Sequence, residues 1–238
     1  MKYTYFRLVL AVLLFFGGLQ IVFAETNELM VRCVAFYNLE NVFDTIHDEG
    51  KNDYEYLPDG GMKWTSLKYK NKIQNMAYAI SQLGTDEDPR GAAVVGVSEV
   101  ENIGCLHDLC KELKDKHNRN YVPILLEGPD RRGIDVGLLY NPDMFKPVGQ
   151  PKGYELKAHY ADGGVVRSRL QWWVSGYVLD DNRKIVMDKI HISVNHWPSR
   201  SGGEESSRAT RDTAAMLVKQ VADSIYMKEP RAKIIVMG

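Results

Sequence analysis

The chain predicts an α+β fold of two sheets packed face to face with helices on the outside. Three observations carry this. Apolar runs with strand character outnumber helical ones and come in the order strand, helix, strand, helix, several strands, helix, strand. Hairpin-like links such as Leu179-Asp180-Asp181-Asn182 put antiparallel pairing in the middle of the chain. Neither a doubly wound parallel pattern nor an all-β pattern fits that order, whereas two stacked sheets do.

The predicted strands are residues 31–39, which alternate, and 92–100, a continuous apolar run after Gly91. Residues 121–127, 134–140, 165–179, 184–196 and 233–237 follow. Thr65 or Ser66 caps a helix whose Tyr69, Ile73, Met76, Ala77, Ile80 and Leu83 recur at helical spacing, and Gly84 ends it. Asn102 caps a short helix bearing Leu106, Leu109 and Leu113. A third helix covers residues 204–227, with Ala214, Leu217, Val218, Val221 and Ile225 on one face. Residues 44–62 are polar and Gly-rich and read as a surface loop, and no internal repeat or domain boundary interrupts the fold.

Residues 1–24 read as a signal peptide. Lys2 and Arg7 precede an apolar run from Leu8 to Phe16, and Val22-Phe23-Ala24 is a small-residue cleavage pattern. Gly17, Gly18 and Gln20 interrupt the run, which leaves it short for a spanning helix. Residue 25 is Glu, so a lipid anchor on cysteine is not indicated. The expectation is export to the periplasm or the extracellular space, with no transmembrane anchor after cleavage and residues 25–238 as one domain.

Without Lys2 and Arg7, the 30 basic residues become 28 against 31 acidic ones, a formal −3. That balance argues against broad electrostatic binding of nucleic acid but leaves room for a local basic cleft. Cys33, Cys105 and Cys110 are odd in number and lack zinc-ligand spacing, so they read as structural or free.

Chemistry concentrates at strand ends. Asn195-His196-Trp197-Pro198-Ser199-Arg200 follows an alternating strand and stops at a proline beside Gly202-Gly203. Asn38, in Tyr37-Asn38-Leu39-Glu40-Asn41, offers a donor and an acceptor; it either holds a phosphate or metal-bound water, or ends the strand through bonds to the backbone. In Ser98-Glu99-Val100-Glu101-Asn102, a carboxylate at the end of an apolar strand needs a partner or a cation, and one Glu suffices for magnesium. Glu99 is the expected ligand, Glu101 being nearer the helix start and read as solvated or as serving that terminus. Asp135, inside an apolar strand, either orients a histidine and raises its pKa or lies on a solvent face. Arg167 either meets a phosphate or is a solvated strand residue. Arg131 and Arg132 read as loop charges. Trp172 and Trp173 adjoin on one strand, one facing the core and the other a helix or the surface.

Together, Tyr37-Asn38-Leu39-Glu40-Asn41, Ser98-Glu99-Val100-Glu101, Gly133-Ile134-Asp135-Val136 and Asn195-His196-Trp197-Pro198-Ser199-Arg200 resemble, in that order, the endonuclease/exonuclease/phosphatase superfamily. It includes deoxyribonuclease I, exonuclease III-type enzymes, neutral sphingomyelinases and inositol polyphosphate phosphatases, and the likeness is greatest to exported bacterial members. The resemblance implies a deoxyribonuclease I-like four-layer α/β/β/α sandwich and hydrolysis of a phosphoester with a divalent cation, Mg2+ or else Mn2+ or Ca2+. It implies Glu99 and Asn38 at the metal, His196 oriented by Asp135 against the scissile phosphate, and Arg167 as a phosphate contact. The implied substrate is a nucleic acid, a phosphorylated small molecule or a lipid headgroup, with an endonuclease or phosphodiesterase as the first reading and a phosphatase or sphingomyelinase-like enzyme as the alternative. A catalytically dead binding protein on the same fold is the alternative from another class, and no stable protein partner is indicated. The family's Gly-Asp-x-Asn and Ser-Asp-His motifs do not occur in these 238 residues. The expectation is accordingly a fold incomplete at its C-terminus and a fragment inactive as written.

Overall fold

A computed structural model describes residues 30–159, 163–166, 168–185, 189–200 and 202–238. The expected signal peptide, residues 1–24, lies outside the described residues, and so does Arg167. Eight strands, three α-helices and a one-turn 3-10 helix (Tyr54–Tyr56) build the described part.

The first sheet takes β1 (Val34–Val42), β2 (Val94–Val100), β3 (Val122–Leu125) and β4 (Asp135–Tyr140) in the order β1-β2-β4-β3. β1 and β2 are parallel, joined by the crossover helix α1 (Ser66–Ser81), and the two other pairs are antiparallel. The second sheet takes β5 (Phe145–Tyr154), β6 (Gln171–Val178), β7 (Ile190–Val194) and β8 (Lys233–Met237) in sequence order. Its β7–β8 pair is parallel, with α3 (Glu204–Lys228) as the crossover. The third helix, α2 (Ile103–His117), follows β2.

Three apolar layers stack these elements. Ile73, Ala77 and Ile80 of α1 and Leu106, Leu109 and Leu113 of α2 pack on Val95, Val97 and Leu139 of the first sheet. Val94, Val136 and Leu138 on that sheet's other face meet Trp172, Val174, Ile192 and Val194 of the second. Trp173 then packs against Val218 and Val221 of α3. The result is the α/β/β/α layering. Every residue of β2 except Glu99 is buried, as a central strand with covered faces requires. Gly96 marks the seam between the sheets, since a Cβ there would collide with Met237 Sδ and crowd Val194.

The helix caps follow the sequence. Thr65, not Ser66, caps α1 by accepting from Lys68 N, and Asn102 Oδ1 accepts from Cys105 N at 3.1 Å to start α2. The three cysteines are free, with Cys105 and Cys110 buried. Trp172 faces the inter-sheet core and Trp173 faces α3, so the pair splits between two layers as alternation demands.

Three strands differ most from expectation, one of them the run expected at 184–196, whose described strand covers Ile190–Val194. Phe145–Tyr154 is a ten-residue strand absent from the expected set, its sequence being interrupted by Pro147, Gly149, Pro151 and Gly153. It lies at the edge of its sheet, where a proline costs no ladder bond on the outer side, and a bulge falls between Val148 and Lys152. The run expected at 165–179 is a strand only over Gln171–Val178.

Candidate active site

The parallel pairs put the C-terminal ends of β1, β2, β7 and β8 at one pole of the sandwich, and β4 begins there, Asp135 opposite Val100. Both strands that carry the first polar residues are bulged at this pole. The register of β1 shifts between Asn38 and Val42, and that of β2 between Ser98 and Val100. Glu40, Asn41 and Glu99 have φ of 54°, 60° and 62°, the left-handed region that a glutamate enters only at a cost. Bulges of this kind re-aim a side chain at a strand end.

The bulge turns Glu99 toward two neighbours. Asn38 Nδ2 donates to Glu99 Oε1 at 3.1 Å, and His196 Nε2 lies 3.1 Å from the same oxygen. Asn38 Oδ1 meanwhile accepts from Glu40 N at 2.7 Å, so this side chain both shapes the strand end and reaches the site. Burial pushes the His196 pKa down to about 4, the positive charge of Arg169 adding to the fall and Glu99 opposing it. At neutral pH the ring is therefore uncharged, with its Nε2–H donated to Glu99.

Asp135 is 1% exposed, so its side chain does not lie on a solvent face. Neither carboxyl oxygen has a hydrogen-bond partner among the described residues, and neither does His196 Nδ1. The structure brings Asn38, Glu99 and His196 into contact but shows no hydrogen bond between His196 and Asp135. Burial raises the Asp135 pKa to about 7, with Lys51 pulling against the rise. A Cβ on Gly128 would stand 2.7 Å from Asp135 Oδ1, so bare backbone covers this carboxyl.

Asn41 Oδ1, Ser98 Oγ and Asn195 Oδ1 at this pole are also buried without partners among the described residues. Such groups are rare in folded proteins and ask for a water, an ion or a ligand. The donor set here is carboxylate, amide and hydroxyl oxygen, which suits a hard divalent cation and not a thiophilic one.

Three residues take roles that sequence analysis does not assign. Arg169 is an anchor: Nη2 donates to the carbonyls of His196 and Trp197 at 3.1 and 3.3 Å, while Nη1 meets Asp130 at 3.4 Å. It fixes the backbone that presents the histidine, and its neighbours in sequence carry no signal of this. Asp130 is buried at the turn before β4 and also accepts from Arg132 N. Glu101 corrects an expectation: it is 3% exposed, not solvated, and Oε2 accepts from Asp44 N at 2.7 Å. Desolvation raises its pKa to about 8, the hydrogen bond from Asp44 N opposing the rise and the charges of Asp44 and Asp48 adding to it. Asp44, Glu101 and Cys105 have donor atoms within 4.8 Å of one another. The Asp44 oxygens already accept from Ile46 N and Asn102 Nδ2, so the cluster braces the turn behind Glu99.

Residues 33–238 match the family model described as "Endonuclease/Exonuclease/phosphatase family". The chain belongs to this family. No curated protein matches the chain at a significant level. Among solved structures, it is similar to a family protein from Bacteroides thetaiotaomicron, at 15% identity over 85% of this chain and 60% of that one, with a TM-score of 0.47. A family protein from Bacteroides vulgatus gives 16% identity, 79% and 59% coverage and a TM-score of 0.43. A mannosyl-6-phosphatase from Bacteroides thetaiotaomicron gives 14% identity, 81% and 59% coverage and a TM-score of 0.45. The chain thus spans about 60% of the length of these structures.

Proposed function

We propose that the protein hydrolyses a phosphodiester bond with a divalent cation, acts outside the cytoplasm, and uses Asn38, Glu99, Asp135 and His196 for the chemistry. The observation that supports this reading best is the meeting of Asn38, Glu99 and His196, from three separate strand ends, amid buried oxygens that lack partners. Glu99, with Asn38 beside it, would hold the cation, Mg2+ or else Mn2+ or Ca2+. When bound there, the cation supplies neutralising charge to phosphate oxygens.

The protein's own groups divide the remaining work. His196, uncharged and held by a backbone that Arg169 anchors, has its one N–H against Glu99 in the free chain and would redirect it from Glu99 to the scissile phosphate when substrate binds. Asp135 is the proposed orienting partner for its ring, a buried carboxyl near the end of the same pole. Arg167 is retained as a proposed phosphate contact. Nucleic acid is the first substrate class to test, and residues 1–24 would direct export. None of the described helices is long and apolar enough to cross a membrane.

The test begins with binding, because the Gly-Asp-x-Asn and Ser-Asp-His motifs of the family do not occur in these residues. Calorimetric titration of the chain with Mg2+ and Mn2+ should show one site that Glu99→Gln weakens at least about tenfold. Residues 25–238 alone are proposed to bind the cation without turnover, so plasmid nicking and hydrolysis of bis-p-nitrophenyl phosphate, set beside p-nitrophenyl phosphate, should show none, and robust metal-dependent turnover would overturn that part of the reading. Cation binding unchanged in Glu99→Gln, or hydrolysis undiminished by EDTA, would refute the proposal.

A further inference from the structure

A second constellation lies on the helix-facing side of the second sheet, at the start of β7, whereas His196 follows its end. Ser175 of β6 and His191 of β7 are directly opposed in the antiparallel register. Ser175 Oγ stands 2.8 Å from His191 Nδ1, and His191 Nε2 stands 3.3 Å from Glu229 Oε2, just beyond α3. Lys189 Nζ donates to Glu229 Oε1 at 2.7 Å and keeps that carboxylate in place. Burial and hydrogen bonding lock the ring, since the His191 side chain is 7% exposed.

Elementary donor counting fixes the protons. A carboxylate only accepts, so with a neutral ring Nε2 carries the hydrogen toward Glu229 and Nδ1 presents a lone pair. The Ser175 hydroxyl then donates to Nδ1 and leaves its oxygen lone pairs free. A nucleophile within hydrogen-bond reach of a base, the base being held by a third group, is the arrangement that activates serine. Ser175 and His191 open into a cavity of about 250 Å³. Trp173 and Tyr154 give it aromatic walls, and the ammonium groups of Lys152, Lys189 and Lys228 give it positive charge. Lys152 and Lys228 have no ion-pair partner among the described residues.

We propose that Ser175, His191 and Glu229 form a second, metal-independent site that hydrolyses small carboxylic esters bearing a negative charge. Ser175 Oγ attacks the ester carbonyl carbon while its proton passes to His191 Nδ1. The ester C–O bond breaks, the leaving alcohol takes that proton, and the acid remains attached to Ser175 as an ester. Water then adds through the same relay, releasing the acid and restoring the serine. Glu229 holds the ring and balances its charge during each transfer, and the lysines favour an acidic substrate and the developing oxyanion.

The probe is p-nitrophenyl hemisuccinate, given to the full chain in EDTA so that the metal site is silent. A burst of p-nitrophenolate should appear, with the succinyl group mapped to Ser175 by peptide mass spectrometry. Ser175→Ala should abolish both, and Glu229→Gln, at a half-exposed position that does not threaten folding, should slow the burst at least about tenfold. Glu99→Gln should leave the burst unchanged, which separates this site from the phosphodiesterase reading. Absence of acylation at Ser175 in the folded wild-type chain, or an equal burst in Glu229→Gln, would overturn the proposal.

Discussion

Replacing Asp135 by Asn should stabilise the protein at alkaline pH and cancel a pH dependence that runs opposite to that of an ordinary surface carboxylate. The side chain is 1% exposed and neither oxygen has a hydrogen-bond partner among the described residues, so its charged form is disfavoured and its pKa rises from 3.8 to about 7. The unfolded chain releases this proton near 3.8 while the folded chain keeps it to about 7. Across that window the native state binds more protons, so stability falls as pH rises. At about 1.4 kcal/mol per pH decade, the window amounts to about 4 kcal/mol as an upper bound. Asn keeps the shape and stays neutral throughout. The buried amide costs about what the buried neutral carboxyl costs, so the two cancel at pH 4, and about 2 to 4 kcal/mol at pH 8 against roughly zero at pH 4 is expected, the window being an upper bound. Urea unfolding of both chains at several pH values, in EDTA, gives the answer. Glu101 titrates in the same sense in both proteins, so the difference between them isolates Asp135. Equal pH slopes, or a loss of stability in Asp135→Asn at pH 8, would refute the reasoning.

Other outcomes follow from single contacts. Asn102→Ala removes the side-chain acceptor for Cys105 N and should cost about 1 kcal/mol, read from the urea midpoint at unchanged slope. Leu138→Ala empties a fully buried position between the sheets and should cost about 2 to 5 kcal/mol. Gly176→Ala drives a methyl into the Phe145 ring and should cost about 1 to 3 kcal/mol, partly recovered when Phe145→Leu is added. Tyr121→Phe deletes a buried 2.7 Å bond to the Ala92 carbonyl and should cost about 1 to 3 kcal/mol in the same assay.

Much of this architecture is legible in the residues because local signals and burial agree. The apolar run from Ala92 to Val97 reads as a covered strand, and adjacent tryptophans must face opposite layers. Thr65 and Asn102 announce their helices through the side-chain oxygens that cap them. What stays hidden depends on neighbours distant in sequence. Phe145–Tyr154 is a strand only because β6 offers it an edge on which prolines and glycines are tolerated. At the site, Glu99 and His196 were legible as polar residues at strand ends. The burial of Glu101 is not, because it depends on Asp44 folding over it from a segment 57 residues away. Arg169 is missed for the same reason, its partners being backbone carbonyls that no residue type reveals.

The contact between Glu99 and His196 spans two sheets, one residue from each, and the apolar seam around Gly96 sets how far apart those sheets stand. The distance between these two proposed site residues is thus a readout of a packing layer that neither of them touches. A methyl added or removed deep in that layer, at Gly96 or Val194, would shift the whole second sheet against the first before any strand unpaired. The proposed cation binding at Glu99 should then fail at temperatures where the backbone signal is still intact. The protein's working range would be bounded by the rigidity of its middle, not by the melting of its fold.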